Sequence, residues 1–195
     1  MDGLYKELVF PSLVKDVQRI FWKHILPFGR FNRNQTLKNI KIDTSISEHQ
    51  PMTELMIKYP FLSNQLLVFV LPAGVATPIH MDGLGNESTN RKISCNIPVE
   101  GCDHCVTEFF NADIKDFRAD VPGVTRYLKS DSVAVKIGEY RLLENVILTN
   151  TQSPHRVDNT NGIVTRYSVS WTIEDSIWSI EAIEKLSIQH SKGKI

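Results

Sequence analysis

Gln65-Leu-Leu-Val-Phe-Val-Leu71 marks a change of texture in the chain, because Leu, Val and Phe in close succession are the usual content of a buried strand. Short runs of similar character follow at Ala76 to Met81, Lys92 to Val99, Cys105 to Phe110, Ser132 to Leu143, Val146 to Thr149 and Ile163 to Ile173. Turn-forming residues separate them: Gly83-Leu-Gly85, Glu100-Gly-Cys-Asp103, Pro122-Gly123, Glu144-Asn145 and Asn159-Thr-Asn-Gly162. Many short strands divided by turns argue for an antiparallel sandwich or barrel, not for alternating βαβ units. The expected class is mainly β with flanking helices, a jelly-roll.

On the N-terminal side, residues 12 to 26 read as a helix. Val14, Val17, Phe21 and Ile25 recur along one face, Ser12 is placed to cap it, and Pro27 to end it. Residues 28 to 60 are mixed and polar, with a short helix expected over Met52 to Tyr59 before Pro60. Helical texture returns after the last strand, where Trp178, Ala182, Ile183 and Leu186 form an apolar stripe. The whole of 1–195 reads as a single domain: a helical flank over about 1–60, a β core over about 65–175 and a terminal helix over about 176–190.

Lys+Arg and Asp+Glu balance at 22 each, so no net field draws the protein to nucleic acid or to an anionic membrane. Arg30, Arg33, Lys38 and Lys41, with Phe28 and Phe31 among them, read as a solvated connection. The longest apolar stretch, Leu66 to Ala76, is broken by Pro72 and Gly74 and is too short to span a bilayer. Three cysteines without a secretory leader point to a reducing setting, with the cytoplasm as the expected location. Cys102-Asp-His-Cys105 lacks the second ligand pair of a structural zinc site and precedes a strand, unlike a redox CxxC, which normally opens a helix. It is expected to be a turn with two reduced thiols.

The chemistry concentrates in Thr77-Pro-Ile-His-Met-Asp-Gly83. Residues two apart on a strand point to the same face, so His80 and Asp82 present an imidazole and a carboxylate side by side. His155 follows in Ser153-Pro-His-Arg-Val157. Two imidazoles and one carboxylate on one face of an octahedral iron leave three positions open for small molecules. Arg166 and Ser168 share a strand face beyond His155, and the planar fork of arginine matches a carboxylate in two hydrogen bonds.

The order His-x-Asp, distal His, then Arg-x-Ser resembles the 2-oxoglutarate/Fe(II)-dependent dioxygenase superfamily over roughly residues 65 to 175. The resemblance implies a double-stranded β-helix (jelly-roll/cupin-like). It implies that His80, Asp82 and His155 bind Fe(II), and that Arg166, assisted by Ser168, binds the distal carboxylate of 2-oxoglutarate. Dioxygen would be the second co-substrate, with succinate and CO2 released as a substrate is hydroxylated. The carboxylate of Asp82 sets the chain apart from related halogenases, which carry a small residue there. Asn96, in Arg91-Lys-Ile-Ser-Cys-Asn96, has two open readings: a contact to the co-substrate or to iron-bound water, or a side chain that satisfies backbone groups. Arg91 is read as a surface ion-pair residue or a substrate contact.

Two other classes stay open at this stage: a non-catalytic cupin-like binding module, and a cupin enzyme that uses no 2-oxoglutarate. The substrate is undefined between a polar small molecule, a peptide side chain and a nucleotide. Asn111 to Lys129 and Phe28 to Gln50 are candidate lids. His24, His49 and His190 are expected to face solvent or bond locally, and Trp171 and Trp178 to pack in the core.

Overall fold

The computed structural model describes residues 3–29, 37–82, 92–119, 125–173 and 177–192. The Gly83-Leu-Gly85 and Pro122-Gly123 turns, Arg30, Arg33 and Arg91 lie outside the described residues. The described strands are β1 (Tyr5–Leu8), β2 (Leu37–Lys41), β3 (Gln65–Leu71), β4 (His80–Met81), β5 (Ile93–Glu100) and β6 (Val106–Asn111). They continue with β7 (Phe117–Ala119), β8 (Arg126–Leu128), β9 (Val135–Arg141), β10 (Val146–Asn150), β11 (His155–Asp158) and β12 (Arg166–Ile173).

These strands form two antiparallel sheets, a major one in the order β1-β10-β5-β12-β3-β2 and a minor one in the order β7-β8-β4-β11-β6-β9. Followed along the chain, β3, β5, β10 and β12 go to the major sheet while β4, β6, β9 and β11 go to the minor sheet. Apart from the β6–β9 connection, each step from one of these eight strands to the next crosses between the sheets. That winding is a double-stranded β-helix, and β1, β2, β7 and β8 widen its two sheets.

The largest apolar cluster lies outside the space between the sheets, which smaller clusters such as Phe109, Tyr140, Leu142 and Ile147 fill only in part. On β12, Val169, Trp171 and Ile173 belong to the largest buried apolar cluster, together with Cys95 and Ile97 of β5 and Leu66 and Val68 of β3. Their partners are Leu13, Val14 and Val17 of α1 (Pro11–Ile20) and Met52 and Leu55 of α3 (Gln50–Lys58). The helices therefore cover the outer face of the major sheet. Trp171 is fully buried there, and a large apolar side chain placed so contributes about 1.5–3 kcal/mol. The alternate residues of the same strands are polar and point inward: Ser168 and Ser170 on β12, Ser94 and Asn96 on β5, Thr149 on β10. A buried interior this polar is expensive unless its groups pair or bind something, and this is where the site lies.

The helical flank departs from expectation in two places. Helix α1 begins at Pro11 with Phe10 as its cap residue and no side-chain cap, so Ser12 lies inside the first turn. Proline fits there because its missing N–H would have had no helical partner. Pro27 does not end the helical run. A π-helical turn over Phe21–Ile25 leads into α2 (Leu26–Gly29), and the Leu26 N–H bonds the Phe21 carbonyl five residues back. This wider turn resets the helix just before Pro27, so the missing N–H falls in the first turn of a new segment. Helix α4 (Ile180–Ser191) is capped by Ser179, which accepts from the Ala182 N–H, and it buries Ile183 against the core with Trp178 and Leu186 beside it.

The described parts of 111–129 are built into the minor sheet. A 3-10 turn over Ile114–Asp116 leads into the β7–β8 hairpin, and β8 pairs with β4. Similarly, β2 within 28–50 pairs with β3. No helix among the described residues is long and apolar enough to cross a membrane.

Candidate metal centre

β4 and β11 are short neighbouring strands of the minor sheet, and His80 lies directly opposite His155. Their ring centroids are 4.3 Å apart. Asp82 follows His80 at the end of β4, where its backbone N–H donates to the Thr151 carbonyl at 2.8 Å. One ligand atom from each of His80, Asp82 and His155 can be chosen so that all three lie within 4.8 Å of one another. Pairing in the sheet brings together His80 and His155, which are 75 positions apart.

The two rings are oriented in the same way. His80 Nδ1 is 2.9 Å from the Pro78 carbonyl oxygen, and His155 Nδ1 is 2.8 Å from the Ser153 carbonyl oxygen, in each case two residues back along the chain. A carbonyl only accepts, so Nδ1 carries the proton and donates, which makes Nε2 the ring nitrogen suited to ligate a cation. His80 Nε2 lies 3.9 Å from an Asp82 oxygen, close for two ligands of one ion and beyond an ordinary hydrogen bond. Thr125 Oγ1 approaches the same carboxylate oxygen at 3.5 Å. His155 is buried, and the side chains of His80 and Asp82 are only 14% and 16% exposed. Two imidazoles and a carboxylate, partly desolvated, fit a divalent first-row metal such as iron(II).

Arg166, on the first residue of β12, faces the same cavity as the cluster. It is 4% exposed, its Nε has no hydrogen-bond partner, and among the described residues no carboxylate pairs with it. Its neighbours are Cys102, Cys105 and Tyr140. Burial works against its charge, and these acidic groups offset that and raise its pKa. Burial also pushes the Cys105 thiol up, so at neutral pH that group is a thiol and not a counter-ion. A buried guanidinium without an anion is costly, and its planar fork is of the shape that matches a carboxylate in two hydrogen bonds.

The other residues expected at the site are placed as follows. Asn96 lines the cavity, and its amide is fully engaged by side-chain hydroxyls, not by backbone groups. Nδ2 contacts Thr149 Oγ1 at 2.7 Å, Ser94 Oγ at 3.1 Å and the Tyr140 hydroxyl at 3.3 Å, while Oδ1 accepts from Ser170 Oγ at 2.5 Å. Ser168 is buried on the inner side of β12 but is not among the residues lining the cavity. Cys102 and Cys105 are free and buried, and the Cys105 N–H to Cys102 carbonyl bond closes a turn between them. His49 is buried and accepts the Asp43 N–H on Nδ1, and His190 packs on Phe10 and Tyr59. Tyr140 and Thr149 were not singled out from the sequence. The available signal was the alternation of small polar with apolar residues on buried strands, as in Ser94-Cys-Asn96 and Ser168-Val-Ser170-Trp.

No family model matches the sequence, and no curated protein matches it either. Among solved structures, a Pseudomonas putida prolyl-4-hydroxylase aligns at 13% identity with a TM-score of 0.47, over 88% of this chain and 93% of that one. E. coli ycfD aligns at 13% identity with a TM-score of 0.45, over 86% of this chain and 42% of that one. CapF, solved with the inhibitor 3-isopropenyl-tropolone, aligns at 17% identity with a TM-score of 0.26, over 55% of this chain and 24% of that one.

Proposed function

We propose that the chain is an iron(II)- and 2-oxoglutarate-dependent oxygenase that hydroxylates a substrate in its β-helix interior. The observation that carries this reading is Arg166: a buried guanidinium without a carboxylate partner, facing the same cavity as a His-Asp-His cluster. A metal-binding module without a co-substrate has no use for such a group, because a buried unpaired charge costs stability.

In this reading His80, Asp82 and His155 hold the iron, and Arg166 holds the remote carboxylate of 2-oxoglutarate. The Tyr140 hydroxyl, near Arg166, is held by Thr149 and Asn96. Asn96, with Ser94, Thr149 and Ser170, forms a fixed polar wall that keeps its hydrogen bonds when ligands enter. Bound iron supplies the redox chemistry with dioxygen: 2-oxoglutarate becomes succinate and CO2, and a substrate C–H becomes C–OH. The protein's part is to leave one side of the metal accessible, to fix the co-substrate through Arg166 and to exclude bulk water. The cavity measures about 40 Å³, room for a few waters. Admission of a five-carbon diacid therefore requires side chains that line it, such as Phe69, to turn aside.

The test is succinate release. Purified protein supplied with Fe(II), ascorbate, oxygen and 2-oxoglutarate should form succinate slowly even without its substrate, and His155→Ala should abolish this. Metal binding with no succinate under any condition would favour the cupin-like module or a cupin enzyme that needs no 2-oxoglutarate.

A further inference from the structure

The inner face of the minor sheet continues past the metal cluster. Directly paired residues on neighbouring antiparallel strands point to the same face, so the register can be followed from strand to strand. Phe109 lies opposite His155, His155 opposite His80, His80 opposite Tyr127, and Tyr127 opposite Arg118. His80 and His155 face the cavity, so Tyr127 and Arg118 stand on that face as well. The contact between rings agrees, with the His80 and Tyr127 centroids 6.0 Å apart.

Arg118 is exposed, and among the described residues it has no ion-pair partner. Two other cations of the minor sheet, Lys136 and Arg156, are bound by Glu108, and the nearby Lys115 is bound by Asp113. Glu108 is next to Phe109 on β6, which places that network on the opposite face of the sheet. Arg126 lies opposite Met81 and also belongs to the opposite face. The row from the metal cluster outward thus reads imidazole, phenol ring, free guanidinium.

We propose that the substrate of this site is anionic. Its carboxylate or phosphate engages Arg118, and the part of the molecule between that group and the reacting carbon lies over Tyr127. The inference rests on the oxygenase reading and adds a substrate class to it. Two strand-to-strand steps separate Arg118 from His80, so their Cα atoms are about 10 Å apart. The acidic group therefore binds several bonds away from the carbon presented to the metal. Arg118 is a specificity residue in this account, since its side chain touches substrate remote from the reacting atoms.

The test uses the full chain, loaded without oxygen with Mn(II) and saturating 2-oxoglutarate, and two probes, phenyl phosphate and phenylacetate. Mn(II) electron paramagnetic resonance reports the metal, and paramagnetic relaxation of probe phosphorus and protons reports binding and distance. The expected result is saturable binding with the phosphorus well outside direct coordination distance of the manganese. Arg118→Gln should weaken it about tenfold, the loss of one charge-assisted contact, and Arg118→Lys should retain most of it. The probe with the larger Arg118-dependent affinity identifies the group as phosphate or carboxylate. Equal affinity in Arg118→Gln, or phosphorus at direct coordination distance, overturns the inference while leaving the metal site intact. If Mn(II) binds no differently to wild type and to a His155→Ala control, the metal reading fails and the substrate inference falls with it.

Discussion

Arg166→Met should move stability and co-substrate affinity in opposite directions. The guanidinium is 4% exposed, lacks a partner at Nε and has thiols and a phenol as neighbours in place of a carboxylate. Methionine has a similar reach and no charge, so the ligand-free protein loses a desolvated cation and should gain about 1–3 kcal/mol. With 2-oxoglutarate present, the substitution leaves the remote carboxylate without its counter-charge. That costs about 3–5 kcal/mol, or about two to three and a half orders of magnitude in affinity. Urea unfolding followed by tryptophan fluorescence measures the first effect, and anaerobic calorimetric titration of the Fe(II) protein with 2-oxoglutarate measures the second. A variant that is less stable than wild type, yet binds 2-oxoglutarate as tightly, would show that Arg166 is a structural residue and refute the reasoning.

Asp82→Ala removes the one anionic group of the cluster, and succinate formation should fall by at least about a hundredfold even where some iron stays bound, as metal analysis can check. Glu108 on the neighbouring β6 is committed to Lys136 at 2.7 Å and Arg156 at 2.6 Å and cannot replace it. Burial alone would push the Glu108 carboxyl up, but the hydrogen bonds from Lys136 and Arg156 outweigh it and hold its pKa below the ordinary value. A depressed folded-state pKa stabilises the protein above the unfolded value and loses that contribution as pH falls through the folded value. Glu108→Gln should therefore cost about 1 kcal/mol at pH 7, with the gap to wild type closing below about pH 4 in urea unfolding. Gly101 has φ +64°, and a Cβ there would collide with the Thr165 carbonyl oxygen. Gly101→Ala should destabilise by about 2 kcal/mol or more on the same assay.

Most of the strands legible in the sequence have apolar cover, although β9, expected within Ser132 to Leu143, is largely exposed. β3 was bounded to the residue, and β5, β6, β10 and β12 were found with shifted or shortened ends, because each packs against helices or against the opposite sheet. β1 (Tyr-Lys-Glu-Leu) and β2 (Leu-Lys-Asn-Ile-Lys) were not found, since both are edge strands rich in charge and carry little apolar periodicity. The three-residue strands β7 and β8 and the four-residue β11 owe their existence to pairing partners distant in sequence, which no local pattern announces. The His80–Asp82 pair was legible because strand periodicity alone places both on one face. The proximity of His155 was legible only through resemblance, since it depends on the β4–β11 pairing. The freedom of Arg166 from any carboxylate could not be read from the sequence, because it is a property of the assembled interior. The row that joins His80 to Arg118 likewise follows only from sheet register.

The most direct test of the central claim is an anaerobic titration of the Fe(II)-loaded protein with 2-oxoglutarate, followed through the visible charge-transfer band of the metal chelate. The account predicts a band that saturates at one 2-oxoglutarate per chain and is absent in His155→Ala and in His80→Ala. A wild-type protein that binds iron at one site and develops no such band at millimolar 2-oxoglutarate would contradict it.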